Sequence, residues 1–352
     1  MPSLRFKAVS HSWVALHPQP KGVVKFVGGA FFGTFAPMIF YRHLLSYFFD
    51  KSFTIIILPF SFSFNHYRES FFLIREQYAL LPELIAMAIA EGSDPTVYLA
   101  ANNYFWVGHS IGCKYIALLE SAGKLPKCES DLKKFIAEVI EPMELGKAGK
   151  LRLVNRLASE LTSLREGLMA DAITSKDLAS KCEVNNQSVL RQAASASKNI
   201  YSDLFIRDQN SILLAPVASD TSSAVRPKIL AKWIDNLGWG VQPTSEVTKN
   251  LIKKADLFNL LILAKFKSDK LASETVQWFY NTLNRPDASD REPFPGGHLR
   301  PLGFNLADLV VNPWFDLPFI TSMASRNHAL EDRLDQQLQK LQSKSSESQA
   351  PS

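Results

Sequence analysis

The chain has 352 residues, 46% of them hydrophobic and 11% aromatic, which is enough to bury a full core in one large domain with an insertion or in two modest ones. Its 39 basic and 34 acidic residues leave a formal charge of +5 spread along the sequence, so no dedicated nucleic-acid surface is marked. Three scattered cysteines, Cys113, Cys128 and Cys182, form no C-x-x-C pair; neither a disulfide framework nor a zinc site is indicated, and a reducing compartment with no metal and no cofactor is expected.

The first residues, "MPSLRFKAVSHSWVALHPQPKG", lack the continuous apolar core of a secretory signal, and a cytoplasmic location is expected. One long uncharged stretch, Phe26 to Tyr41, is short for a bilayer and is broken by Gly28, Gly29, Gly33 and Pro37. No transmembrane helix is expected, while peripheral membrane contact stays open.

Short β-type runs then alternate with helical patterns, the mark of a mostly parallel sheet with crossover helices. "SWVAL" and "VVKFV" read as the first strands. "FTIIILP" and "YFWVG" have the apolar continuity of strands covered on both faces. Between them, "MIFYRHLLSYFFD" reads as one helix and "ESFFLIREQYALLPELIAMAIAEG" as another with a kink at Pro82. A polar, helical block follows over 122–208, with Leu153, Val154, Leu157, Leu161, Leu164 and Leu168 in one stripe, before strand patterns resume at "SILLAPVAS" and "LFNLLILAKF". The expected domains are therefore a core of 1–121 and 209–328, a helical cap or lid inserted at 122–208, and a terminal segment at 329–352. In the last, Leu330, Leu334, Leu338 and Leu341 mark a short helix, and "SKSSESQAPS" is too polar to fold.

"WVGHSIGCK" places Ser110 in G-x-S-x-G spacing, behind an apolar strand and ahead of the helical "CKYIALLE". A nucleophile on such a strand-to-helix elbow has a strained backbone, and glycines two residues either side allow strand and helix to approach. A serine in a plain turn is the competing reading. A serine hydroxyl also needs a histidine to take its proton and a third group to orient that ring. In the chain order serine, acid, histidine, His298 in the glycine-rich "PFPGGHLRPLG" is the candidate base, ahead of His328. For the acid, Asp269 after the "LLILAKF" strand is preferred to Asp220, which follows the preceding strand; the carboxyl ends of parallel strands collect such groups in both cases. The oxyanion donors are expected from the N–H of Ile111 and from Ala30 or Phe31 in "GGAFFGTFAP". Phe32, Phe60, Phe62 and Phe64, with Phe31, lie in loops that should face the site and line an apolar pocket.

The blocks "VKFVGGAFFGTFAPMIFYRHLL", "LPFSFSFNHY", "WVGHSIGCKYIALLE", "LLAPVASDTSSAV", "GWGVQPTSEVTKNLI" and "PFPGGHLRPL" together resemble an uncharacterised family of α/β-hydrolase-like proteins of cyanobacteria and plant plastids, a domain of unknown function. The resemblance covers most of Val23 to Leu302. It implies the α/β-hydrolase fold and carries Ser110, Asp269 and His298 as matching positions, without implying a substrate. The helical block is longer than that family leads one to expect, and the missing transit peptide points to a bacterial or organelle-encoded version.

Within the block, Thr174 to Gln192 resembles a helix-turn-helix, with Leu178 and Ala179, Val184, and Ser188, Val189 and Arg191 at its key positions. Glu183 replaces the usual turn glycine, and the second helix offers little basic charge beyond Arg191 and Lys198. No specific nucleic-acid partner is expected. The resulting expectation is a serine hydrolase or acyl-transfer enzyme acting on a small-molecule or lipid-like ester or thioester. A catalytically silent hydrolase fold serving as a binding or scaffold protein is the alternative. The sequence leaves the oligomeric state open.

Overall fold

The computed structural model describes residues 2–61, 63–123, 125–141, 143, 145–170, 173–182, 187–202, 206, 209–218, 241–255, 261–283, 291–306, 309–311 and 329–347. A hairpin of β1 (Lys7–Val9) and β2 (Ser12–Ala15) leads into β3 (Gly22–Val27), whose six residues are all buried. Two helices, α1 (Pro37–Phe40) and α2 (Arg42–Asp50), cross to the equally buried β4 (Phe53–Ile57). The long α3 (His66–Ala90) then returns the chain to β5 (Tyr104–His109), and α4 (Ile111–Ala122) follows it after a single residue. The sheet order among the described strands, with β6 (Asn210–Leu214) and β7 (Leu261–Ala264), is β1-β2-β4-β3-β5-β6-β7. All pairings from β4 to β7 are parallel, and β2 meets β4 antiparallel. Apolar runs such as Ile55, Ile56 and Ile57 are buried because helices cover both faces. This is the α/β-hydrolase architecture, with β5 inside the sheet and the loops at its carboxyl edge free to build a site.

Two local readings change. The expected single helix over "MIFYRHLLSYFFD" is broken at Tyr41, where Gly303 donates its N–H to the Phe40 carbonyl and accepts from the His43 N–H. A distant backbone thus replaces the local helical bonds. The C-terminal helix, α11 (Ala329–Glu347), runs five residues into the segment read as too polar to fold. Once a helix is started on buried Leu330, Leu334 and Leu338, each added residue gains a backbone hydrogen bond without needing apolar burial. Pro82 lies inside α3 without ending it.

The inserted block comprises α5 (Glu129–Val139), α6 (Lys147–Ala170), α7 (Ser175–Lys181) and α8 (Gln187–Ser202). Helix α5 lies on α6 and on α9 (Ser245–Ala255), which also packs on α4, while α7 and α8 pack on each other and on α3. Val154, Leu157, Leu161 and Leu168 are buried in the same apolar cluster as the sheet, with Leu153 and Leu164 partly buried beside them. Leu178, Leu190 and Ala193 of the helix-turn-helix-like pair belong to that cluster too; its turn at 183–186 lies outside the described residues. The remaining elements are α10 (Ser273–Leu283) and a small hairpin of β8 (Phe304–Leu306) and β9 (Leu309–Val311).

One core residue has a measurable consequence for stability. Lys25 of β3 is buried, its Nζ donating to Gln77 Oε1 at 3.1 Å and lying 4.1 Å and 4.8 Å from the ring centres of Tyr104 and Trp106. Burial lowers its pKa from the ordinary 10.5 to about 7. The unfolded chain therefore holds a proton that the folded one releases between these values, so this group makes stability rise with pH across the window and fall as pH drops towards 7. Urea unfolding of the wild type at several pH values between 7 and 10 should show that rise, with a limiting slope of about 1.4 kcal/mol per pH unit. In Lys25→Met it should vanish. An equal slope in the two proteins would show that Lys25 keeps an ordinary pKa in the fold.

Candidate active site

Ser110 is the single residue between β5 and α4, with φ 54° and ψ −117°. This left-handed backbone is costly for a residue with a Cβ, and neighbouring strands hold it. The Ser110 N–H donates to the Leu214 carbonyl at the end of β6 (3.0 Å), and its carbonyl accepts from the N–H of Cys113 (3.1 Å) and of Val217 (3.3 Å). The flanking glycines permit the turn. A Cβ on Gly112 would lie 2.2 Å from the Val27 carbonyl oxygen, and one on Gly108 would lie 2.7 Å from Ile116 Cδ1.

The loops carrying Asp269 and His298 are stitched together by backbone bonds. Phe294 N–H donates to the Lys265 carbonyl, Lys267 N–H to Phe294 and Ser268 N–H to Gly296. Gly296, at φ 105°, takes a turn that side chains resist. The result is a continuous chain of contacts: Asp269 Oδ2 lies 2.9 Å from His298 Nδ1, and His298 Nε2 lies 2.9 Å from Ser110 Oγ. The other Asp269 oxygen accepts the N–H groups of Leu271 (2.9 Å) and Ala272 (3.0 Å). Burial pushes the Asp269 carboxyl up, but the His298 hydrogen bond and charge and these two amides outweigh it and hold the group below its ordinary pKa. An ionised carboxylate only accepts, so Nδ1 carries the imidazole proton and Nε2 is left to accept from the serine hydroxyl. The Asp269 side chain is 1% exposed and that of His298 17%. The histidine edge reaches the surface and the acid does not.

Ile111 begins α4, where backbone N–H groups lack helical partners. In the loop after β3, Gly29 donates its N–H to Tyr41 Oη (2.8 Å) and accepts from Gly33 N–H (2.6 Å). The Ala30 and Phe31 carbonyls accept from Thr34 Oγ1 and from Phe35 N–H. The loop's carbonyls are thus turned inward to their own chain, and the next amides after Gly29 are those of Ala30 and Phe31.

The phenylalanines expected to share a pocket part company. Phe32 is buried against Phe40, and Phe60 is buried against Tyr115. Phe31 and Phe35 are 59% and 61% exposed, beside the exposed Ile39. Phe64 is also exposed and borders a groove of about 570 Å³ that Met143, Leu145, Arg152 and Leu153 of the inserted block complete. Phe62, Asp220 and His328 lie outside the described residues. Among the described residues no cluster of His, Cys, Asp and Glu could hold a metal ion, and no helix is long and apolar enough to cross a membrane.

Sequence reasoning passed over His109, the residue before the serine. It is buried, with Nδ1 2.8 Å from Tyr41 Oη and Nε2 2.9 Å from the His298 carbonyl oxygen. A histidine closing an otherwise apolar strand was the available signal.

Residues 5–131 match the family model described as a protein of unknown function (DUF1350). No curated protein matches the chain. Among solved structures the chain is similar to an esterase, Est2, from the planctomycete Thermogutta terrifontis, at 13% identity over 97% of this chain and 92% of that one with a TM-score of 0.44. An inhibited esterase B from Lactobacillus rhamnosis is 10% identical over 96% of this chain and 82% of that one, with a TM-score of 0.43. The siderophore hydrolase EstB from Aspergillus fumigatus is 12% identical over 94% of each chain, with a TM-score of 0.33.

Proposed function

We propose that the protein is a serine hydrolase or acyl-transfer enzyme that acts on an ester or thioester of an apolar acid. The observation that supports it best is the unbroken path from Asp269 through His298 to Ser110 Oγ, ending on a serine held at positive φ. In this reading Ser110 Oγ attacks the acyl carbon while its proton passes to His298 Nε2. The carbonyl oxygen, now an anion, is received by the N–H of Ile111 and of Ala30 or Phe31. When the tetrahedral adduct collapses, the carbon–oxygen or carbon–sulfur bond breaks and the leaving group takes the proton from His298. Water or another acceptor, deprotonated by the same nitrogen, then releases the acyl group. Asp269 is the proposed acid in preference to Asp220, because its other oxygen is anchored by two amides and its first faces the imidazole.

The exposed Phe31, Phe35, Ile39 and Phe64 favour an apolar acyl chain over a charged one. The inserted block is proposed as a lid where Met143, Leu145 and Leu153 border Phe64. A cytoplasmic, reducing location fits the free thiols of Cys113, Cys128 and Cys182. An origin among cyanobacteria or plastids belongs to the same proposal.

An active-site-directed fluorophosphonate tests the reading without a guess at the substrate. Incubation at neutral pH should phosphonylate one residue, located by peptide mass spectrometry at Ser110. Wild-type protein that neither labels there nor turns over short- or medium-chain p-nitrophenyl esters or acyl thioesters would be better read as a scaffold with a silent site.

A further inference from the structure

The elements around Ser110 are joined by a second hydrogen-bonded path, distinct from Asp269–His298–Ser110. The His298 carbonyl can only accept, so His109 Nε2 must donate to it across their 2.9 Å. Burial, with the charge of His298 second, lowers the His109 pKa to about 3, so the ring is neutral and its Nδ1 is an acceptor. Tyr41 Oη therefore donates to Nδ1 at 2.8 Å and in turn accepts the Gly29 N–H at 2.8 Å. Every bond points the same way, from Gly29 through Tyr41 and His109 to the backbone of His298. Such a path is cooperative, and Gly29, Tyr41 and His109 are buried in it with their partners in place.

The two ends of this path are what the proposed chemistry must align. Gly29 immediately precedes Ala30, one of the amides assigned to the oxyanion. His298 is the assigned base. The middle, His109, is covalently attached to Ser110. A Cβ on Gly29 would lie 3.1 Å from His109 Nδ1, so the loop and the histidine touch directly. His298 is otherwise held at its side chain by Asp269, which fixes the ring but leaves the loop backbone to other contacts.

We propose that Tyr41 and His109 are positioning residues that set the oxyanion amide and the backbone of the base in register with the serine. They exchange no proton with substrate. Their effect runs through Gly29–Ala30 and His298, and the inference rests on the hydrolase reading above.

The test measures kcat and KM for p-nitrophenyl butyrate, and the rate of fluorophosphonate labelling, in Tyr41→Phe, His109→Leu and His109→Gln. Thermal melting confirms that each is folded. Misplacing a base or an oxyanion donor by about 1 Å costs on the order of 10²-fold in rate. Tyr41→Phe and His109→Leu should lose about that much in kcat and in labelling rate, with KM unchanged. Gln keeps one acceptor and one donor near the imidazole positions, so His109→Gln should recover activity to within about tenfold of the wild type. A purely structural role would lower the melting point without this split between kcat and KM or this rescue.

A folded Tyr41→Phe with wild-type kcat, or with its loss confined to KM, overturns the inference. If His109→Leu does not fold, Tyr41→Phe and His109→Gln decide between the outcomes. A wild type that labels at Ser110 while all three variants label equally fast sinks the positioning role and leaves the hydrolase reading standing. A wild type that does not label removes both.

Discussion

Ser110→Ala should abolish fluorophosphonate labelling and lower ester turnover by about 10⁶, and adding His298→Ala to it should cost almost nothing more. In the proposed triad the two residues act as one unit across a 2.9 Å contact, so that removing either would remove the nucleophile's activation. What should survive is the rate supported by binding and by the proposed oxyanion amides of Ile111 and the loop after β3. Asp269→Asn should fall between, at on the order of 10³ to 10⁴ in turnover. A carboxamide that keeps its acceptor towards Leu271 and Ala272 turns its NH₂ towards His298 Nδ1, and the imidazole must then place its proton on the nitrogen that faces the serine. Asp220→Asn should leave turnover within a few-fold. Steady-state kinetics of the four purified variants settles the assignment. Additive losses for Ser110 and His298, or a larger loss from Asp220 than from Asp269, would break the proposed triad while leaving the fold untouched.

Gly112→Ala should be the most damaging single methyl among the glycines described. Its Cβ would sit 2.2 Å from the Val27 carbonyl oxygen and 2.6 Å from that of Gly28, both backbone atoms of β3 and its loop, which cannot swing aside as a side chain can. Helix α4 would have to lift from the sheet, moving Ile111 and the elbow with it. The expected result is a protein that is insoluble or destabilised by more than about 4 kcal/mol, at the far end of what one substitution does. Gly167→Ala in α6, where a Cβ meets nothing within 4 Å, is the control and should leave the unfolding midpoint unchanged or raise it. Urea unfolding followed by circular dichroism measures both. A Gly112→Ala protein as stable as the wild type would mean that strand and helix do not approach as closely as described.

The architecture was legible where the chain's own periodicity decides it. Buried runs such as Ile55 to Ile57 and Phe105 to Val107 have no other use than to be covered on both faces, and their order with the intervening helices implies a parallel sheet. The elbow was legible because its constraint is local: strand, glycine, serine, glycine, helix. What escaped depends on partners far away in sequence. Tyr41 interrupts a helical pattern only because Gly303 reaches the Phe40 and His43 backbone. The path from Tyr41 to His109 spans 68 residues and that from His109 to His298 spans 189, and no spacing rule announces either. The adjacent Phe31 and Phe32 show the limit most simply. Both stand in one loop after one strand, yet the first is 59% exposed and the second 8%, because a turn places consecutive side chains on opposite sides. The length of α11 was misjudged from burial alone, when propagation of backbone bonds was enough to extend it.

The position of the inserted helices governs the order in which the protein can assemble. Strand β5 pairs with β6 in the register Phe105 to Asn210, so a hundred-residue loop must close before the middle of the sheet is complete, an entropic toll that slows folding. The strained Ser110 is held from that far side, through Leu214 and Val217. On a ribosome, a chain that has emerged only as far as α4 would carry the elbow sequence without the conformation, its serine free to relax into an ordinary turn. Asp269 and His298, the partners proposed for it, come later still in the chain. The backbone twist at Ser110 thus depends on a strand that is not yet made, and it is set only when β6 docks beside β5.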